Sequence, residues 1–111
     1  DRIKNLVTKL KKKKINRLMG WCDDVKNQKY NKLIRVNNKI KHEKLFQKKI
    51  NYDLIIPIKY NFKKIKKNKG SAIFIHVTGD YKKTLGCIAL KKNDLLILLK
   101  LINKNTKIQI L

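Results

Sequence analysis

The run from Gly70 to Val77 constrains the fold of this chain more than any other segment. Glycine opens it, and the residues from Ala72 to Val77 are apolar apart from His76. A short continuous apolar run bounded by turn residues is typical of a strand buried on both faces. We therefore predict an interior strand here, with a histidine near its end.

Other segments carry weaker strand and helix patterns. Residues 53–60 are rich in Ile and Leu, and their Pro57 predicts an edge strand or a bulge, because proline cannot donate to a strand ladder. Residues 106–111 alternate apolar and polar, which predicts a closing strand. Residues 42–48 are predicted as a short helix.

One strong helix is predicted near the end of the chain. Leucines and Ile102 recur at spacings of three and four after Asn93 and Asp94, and either of these two can cap the helix. Together the patterns predict a mainly β, β-rich α+β domain. The length of 111 residues fits one domain.

The chain is strongly basic. Lys and Arg number 30 against 7 Asp and Glu, so the formal net charge is +23. Such a charge predicts attraction to nucleic acid, anionic membrane surfaces or acidic polymers. Nearly all the cations are lysines, whereas base readout favours arginine, so no specific nucleic-acid site is predicted. The basic runs Lys9–Lys14 and Lys63–Lys69 are interpreted as solvated surface.

Several classes of site are not supported by the pattern. No apolar run approaches the ~18 residues of a membrane span. Cys22 and Cys87 are too few for a disulfide framework, and no CxxC spacing for zinc occurs. Adjacent Asp23 and Asp24 without a nearby histidine are a poor metal site, so no metal and no other cofactor is predicted.

Cys87 is the candidate nucleophile. It follows Gly86, whose backbone can approach a substrate closely and free amide groups for an oxyanion hole. His76 precedes it by a strand and a loop, which can return to bring thiol and imidazole together. A catalytic cysteine of this kind requires a lowered thiol pKa. From spacing alone, a buried structural thiol and a structural histidine remain alternatives.

Two blocks of this chain resemble a known family. Gly70–Val77 with its histidine, followed by Thr84–Leu90 with its Thr-x-Gly-Cys motif, resemble the catalytic core of the L,D-transpeptidases, also called the YkuD or ErfK/YbiS/YcfS/YnhG family. Further blocks of one branch of that family occur in the same order. They are Gly20–Asp24, Tyr30-Asn31, His42-Glu43, Tyr52-Asp53 and Tyr60-Asn61.

The resemblance implies a β-sandwich with a helix after the catalytic cysteine, spanning residues 1–111 and lacking its N-terminal strands. It implies that Cys87 is the nucleophile and His76 its base. It further implies that amides near Gly86 and Cys87 stabilise the oxyanion, and that Thr84 shapes the turn or touches substrate.

The Trp21, Asp23 and Asp24 block is a candidate support for the active-site loops or the substrate. Two departures from the family pattern concern substrate preference. Leu85 stands where many members carry a second histidine, and Ala89 stands where many carry an arginine.

The expected function is peptidoglycan L,D-transpeptidation by cysteine acyl transfer between stem peptides, in the bacterial envelope or periplasm and as a monomer. Two alternatives remain open at this point. The same site can use water as acceptor, which makes a carboxypeptidase or amidase. Alternatively, the chain is a non-catalytic basic module that binds nucleic acid or an anionic envelope polymer.

Overall fold

The computed structural model of the chain describes residues 5–81, 84 and 86–111. Within them the chain forms short strands, one turn of 3₁₀ helix and one α-helix. In chain order these are β1 (Met19–Cys22), β2 (Leu33–Arg35), β3 (His42–Lys44), the 3₁₀ turn (Ile50–Tyr52), β4 (Ile55–Pro57), β5 (Phe74–Val77), β6 (Ile88–Leu90) and α1 (Lys92–Leu101).

The strands form two three-stranded sheets. In the first, β1 lies between β2 and β3 and is antiparallel to both. In the second, β5 lies between β4, which is antiparallel to it, and β6, which is parallel. The predicted interior strand is thus confirmed as β5, whose four residues are all buried. Pro57 lies on β4 at the edge of its sheet, as predicted.

The two faces of β5 enter two different hydrophobic clusters. Ile75 and Val77 pack with Leu95 and Leu99 of α1. Phe74 packs in the opposite cluster with residues that include Trp21 and Leu45, and Cys87 lies against this second cluster. Because side chains alternate along a strand, His76 shares the face of Phe74 and turns away from the helix. The helix therefore packs against one face of β5, and His76 lies on the opposite face.

The cap predicted for α1 is wrong. The helix begins at Lys92, and its N-cap is Lys91, which makes no side-chain capping hydrogen bond. Asn93 and Asp94 lie inside the first turn. There the negative carboxylate of Asp94 interacts favourably with the positive end of the helix dipole. Leucine spacing located the helix correctly, but Lys91 alone separates its start from the end of β6.

Two further local predictions are wrong. Residues 42–48 do not form a helix, because His42–Lys44 pairs with β1 as strand β3. Residues 106–111 do not form a strand: they pair with no sheet, and Ile110 is 79% exposed. Alternating apolar and polar residues predict a strand with one buried face, but a strand also needs a neighbouring strand with which to form backbone hydrogen bonds.

The observed content confirms the predicted β-rich α+β class. In the part of the chain that the structure describes, no helix is long and apolar enough to cross a membrane. The basic runs are largely exposed, in agreement with their interpretation as solvated surface.

Candidate active site

His76 lies on β5 and is 7% exposed. Its Nδ1 is 2.9 Å from the carbonyl oxygen of Val77. A carbonyl oxygen can only accept a hydrogen bond, so Nδ1 carries the proton and donates it. In the neutral ring Nε2 then holds the free lone pair, which is the arrangement that a general base needs.

Cys87 immediately precedes β6, and the parallel pairing of β5 with β6 determines its position. Ile75 lies opposite Ile88 and His76 opposite Ala89, so continuing the register by one residue places Cys87 opposite Phe74. The Phe74 N–H donates to the Cys87 sulfur at 3.5 Å. By the alternation of side chains, thiol and imidazole share one face of the sheet.

The thiol also has an acceptor. The Cys87 Sγ is 3.2 Å from the carbonyl oxygen of Ala72, to which the S–H donates. The sulfur therefore lies between a backbone donor on the first residue of β5 and a backbone acceptor two residues before it. In this state the thiol proton points to Ala72.

His76 and Cys87 line one cleft of about 890 Å³. Both ionisable and uncharged polar groups surround them there. The lining includes Asp23, Glu43, Tyr52, Thr84 and Ala89. The structure thus brings together the two residues predicted to carry the chemistry, with Ala89 at the position where many family members carry an arginine.

The expected lowering of the Cys87 pKa is wrong for this state. Burial raises the pKa of the Cys87 thiol, the Phe74 N–H lowers it in part, and the negative charge of Glu43 raises it further. The thiol is therefore held neutral until a base removes its proton. A neutral thiol of this kind needs a base to take its proton as it attacks.

The sequence predicts no role for Tyr52 and Glu43, although both lie in segments that resemble the family. The Tyr52 ring meets the His76 ring edge to face, with centroids 5.7 Å apart. Its hydroxyl donates to Oε1 of Glu43. Burial raises the pKa of Tyr52 above its usual range, and the hydrogen bond and charge of Glu43 add to this. Tyrosine therefore stays a neutral donor beside the imidazole.

Thr84 and Gly86 flank the outer side of the cysteine. The Thr84 hydroxyl donates to the Cys87 carbonyl oxygen, which fits the turn-shaping role implied for it. Gly86 has φ +107°, a conformation that residues with a Cβ rarely adopt. Leu85, one of the departures from the family pattern, lies outside the described residues. The assignment of an oxyanion hole to amides near Gly86 stays a prediction.

Trp21, Asp23 and Asp24 take three different positions. Trp21 is buried and meets the Phe74 ring edge-on, with centroids 5.1 Å apart. Asp23 lines the cleft. Asp24 braces its own loop, since its carboxylate accepts from the Lys26 N–H at 3.0 Å. Of these three residues only Asp23 lines the cleft, and a supporting role for the three stays a prediction.

Cys22 is fully buried, and both cysteines are free thiols. Within residues 5–81, 84 and 86–111, no three His, Cys, Asp or Glu side chains come together as metal ligands.

Comparison with known proteins decides the family. The model of the YkuD family, the L,D-transpeptidase catalytic domain, matches residues 3–110. The chain belongs to the L,D-transpeptidase catalytic domain family. No curated protein and no solved structure gives a significant match. The YkuD match covers nearly the whole chain, so the resemblance seen in two motif blocks extends through both sheets and the helix, and L,D-transpeptidase-family function is supported at the domain level.

Proposed function

We propose that this YkuD domain transfers acyl groups between peptidoglycan stem peptides, with Cys87 as nucleophile and His76 as base. The observation that carries the proposal is the contact between His76 Nδ1 and the Val77 carbonyl oxygen at 2.9 Å. His76 Nδ1 donates to the Val77 carbonyl, which leaves Nε2 as the basic nitrogen on the sheet face that also holds Cys87.

The proposed reaction proceeds in two steps. His76 Nε2 takes the thiol proton as the Cys87 sulfur attacks the peptide carbonyl after the third residue of a donor stem. The tetrahedral intermediate collapses and the proton passes to the leaving amine. The terminal D-amino acid departs, and the donor stem remains bound to Cys87 as a thioester. An amine of a second stem then attacks the thioester, returns a proton through His76, and frees the thiol as the cross-link forms.

The neutral state of the thiol supports a base-assisted mechanism. The Ala72 carbonyl holds the thiol proton in the resting site, and burial and Glu43 disfavour the thiolate. Substrate binding must therefore turn the S–H from Ala72 toward the base. The Phe74 N–H keeps its contact with sulfur and stabilises the negative charge as it forms.

Two other functions are distinguished by their products. The same acyl-enzyme captured by water gives a carboxypeptidase or amidase, which makes shortened monomers and no dimer. A non-catalytic basic module rests on the net charge of +23 alone. It is expected to bind DNA or anionic envelope polymer in a salt-dependent way and to show no acylation of Cys87.

The proposed setting is the bacterial envelope outside the cytoplasm, where stem peptides occur, with the protein acting as a monomer. The family match supports an extracytoplasmic cell-wall location. Fractionation of cells with an antibody to the chain tests this; recovery in the cytoplasmic fraction alone would contradict it.

The experiment that tests the function is intact mass spectrometry after incubation with a purified stem tetrapeptide. We expect a covalent adduct that maps to Cys87 and, with a second stem present, a cross-linked dimer. Cys87→Ala is expected to form neither, and Cys22→Ser to form both. No adduct on Cys87 in a folded chain would overturn the proposal, and adduct with hydrolysis products only would favour the hydrolase.

A further inference from the structure

The side chain of Asn31 joins two backbone segments, at Tyr60-Asn61 and at Ala72, to the side chain of Trp21. Asn31 is 2% exposed. Its Nδ2 donates to the carbonyl oxygens of Tyr60 at 3.0 Å and Asn61 at 2.9 Å. Its Oδ1 accepts from Trp21 Nε1 at 2.9 Å and from the Ala72 N–H at 3.2 Å. Both donors and both lone pairs of the amide are thereby used, so its orientation is fully determined.

Ala72 depends on that orientation. Its φ is +55°, in the left-handed region, where its Cβ is crowded by the backbone. Such a conformation persists only when its surroundings hold it. The hydrogen bond from the Ala72 N–H to Asn31 is such a restraint, and it acts on the same residue whose carbonyl oxygen accepts from Cys87 Sγ.

We propose that Asn31 is a positioning residue that acts through Ala72 to hold the Cys87 thiol in place. The hydrogen bond keeps Ala72 left-handed, and this conformation aims the Ala72 carbonyl at the sulfur. Without it, Ala72 is free to relax to negative φ, which swings the carbonyl away and releases the thiol. The consequence for turnover rests on the proposed acyl transfer, whereas the consequence for the thiol itself does not.

Replacing Asn31 leaves the charged groups around the thiol unchanged. Besides Cys87 itself, the ionisable side chains that line the same cleft are Asp23, Tyr30, Glu43, Lys49, Tyr52, His76 and Asp80. Asn31 is uncharged, so replacing it alters the thiol through geometry and hydrogen bonding and leaves the charges in place.

The test compares Asn31→Ala with Asn61→Ala. The Asn61 side chain is a matched control: its Nδ2 also donates to two carbonyls, those of Lys66 and Gly70, but it does not bond to Ala72. The readout is the pH dependence of Cys87 alkylation by iodoacetamide, followed by peptide mapping. This reagent requires no cell-wall substrate, so it reports on the thiol even if the proposed reaction is wrong.

In Asn31→Ala we expect the alkylation midpoint to move to lower pH. The lost S–H···O=C bond stabilised the neutral thiol, and a hydrogen bond of ~0.5–1.5 kcal/mol corresponds to about two- to tenfold more thiolate at pH 7. Asn61→Ala is expected to keep the midpoint of the unaltered chain. An unchanged midpoint in folded Asn31→Ala, or an equal shift in both variants, would overturn the proposal.

Two further variants separate positioning from general stability. Asn31→Ser also lacks the amide that makes these bonds but keeps a polar hydroxyl at this buried position. It replaces Asn31→Ala if circular dichroism shows that the latter does not fold. In an Ala72→Gly background the Asn31 substitution is expected to move the midpoint less, because glycine adopts the left-handed conformation without the steric cost that alanine bears. Equal shifts in both backgrounds would contradict a route through Ala72.

Acylation by the stem tetrapeptide gives the catalytic readout. We expect the maximal rate in Asn31→Ala to fall at least about tenfold with a smaller change in half-saturating concentration, since a displaced nucleophile loses rate more than binding. An unchanged maximal rate would contradict the positioning role. If the unaltered chain forms no adduct, the proposed function fails, and the alkylation profiles still decide the inference.

Discussion

The two histidines of the chain make the same kind of hydrogen bond but lie in different places. His76 Nδ1 and His42 Nδ1 each contact a backbone carbonyl, but His76 lines the cleft with Cys87 whereas His42 lies on β3. His42 is therefore a natural control for the role of the base.

Replacing His76 with alanine is expected to slow Cys87 acylation by ~10²–10⁴-fold, because the neutral thiol then lacks a general base. His42→Ala is expected to acylate at the rate of the unaltered chain. The measurement is the time course of adduct mass at fixed tetrapeptide concentration. A near-normal rate in His76→Ala would remove this residue from the mechanism.

The two thiols are expected to react very differently. Cys87 is partly exposed in the cleft, whereas Cys22 is 0% exposed. Limited alkylation at pH 7 should therefore label Cys87 first, and peptide mapping identifies the labelled residue. A carbapenem, which resembles the acyl donor of this family, should add to the same residue, and Cys87→Ser should abolish both adducts. Labelling confined to Cys22 would show that the site is assigned wrongly.

Glu43 is expected to tune the thiol by its charge. Its carboxylate disfavours the nearby thiolate and so raises the Cys87 pKa. Glu43→Gln removes that charge, so the pKa should fall, and more thiolate is present at every pH below it. The alkylation midpoint should move to lower pH, while Asp94→Asn on α1 leaves it in place. A midpoint that rises in Glu43→Gln would reverse the assigned sign.

At the scale of elements, α1 stabilises β5, the strand that carries the proposed base His76. Leu95 is fully buried against Ile75 and Val77, whereas Ile97 on the same helix is 57% exposed. Leu95→Ala should lower the free energy of unfolding by ~2–5 kcal/mol through the lost burial and the cavity left behind. Ile97→Ala should change it by less than about 0.5 kcal/mol. Urea unfolding measures both, and equal losses would contradict this packing.

For the whole molecule, the net charge of +23 acts at longer range than any single contact. Binding to isolated anionic cell wall should weaken as salt rises from about 0.05 to 0.5 M, because exposed lysines attract it through a screened field. The acylation rate at saturating substrate should change much less. An acylation rate that falls in parallel with binding would show that lysines take part in the acylation step.

Local sequence determined those parts of the fold that depend on burial and spacing. The apolar run into β5 predicts an interior strand because it is short, opens at a glycine and is rich in β-branched and aromatic residues. Leucines at helical spacing predict α1 because that spacing places them on one face of a helix. The pairing of Cys87 with His76 was also a sequence prediction, carried by the glycine before the thiol and by the motif blocks.

Only tertiary structure decided the rest, because it depends on partners distant in sequence. Residues 42–44 form a strand because they pair with β1. Residues 106–111 do not, because they pair with no other strand. The raised pKa of Cys87 comes from burial and from Glu43 on another sheet. The restraint of Asn31 on Ala72 spans 41 positions of chain, and no local pattern signals a contact at that distance.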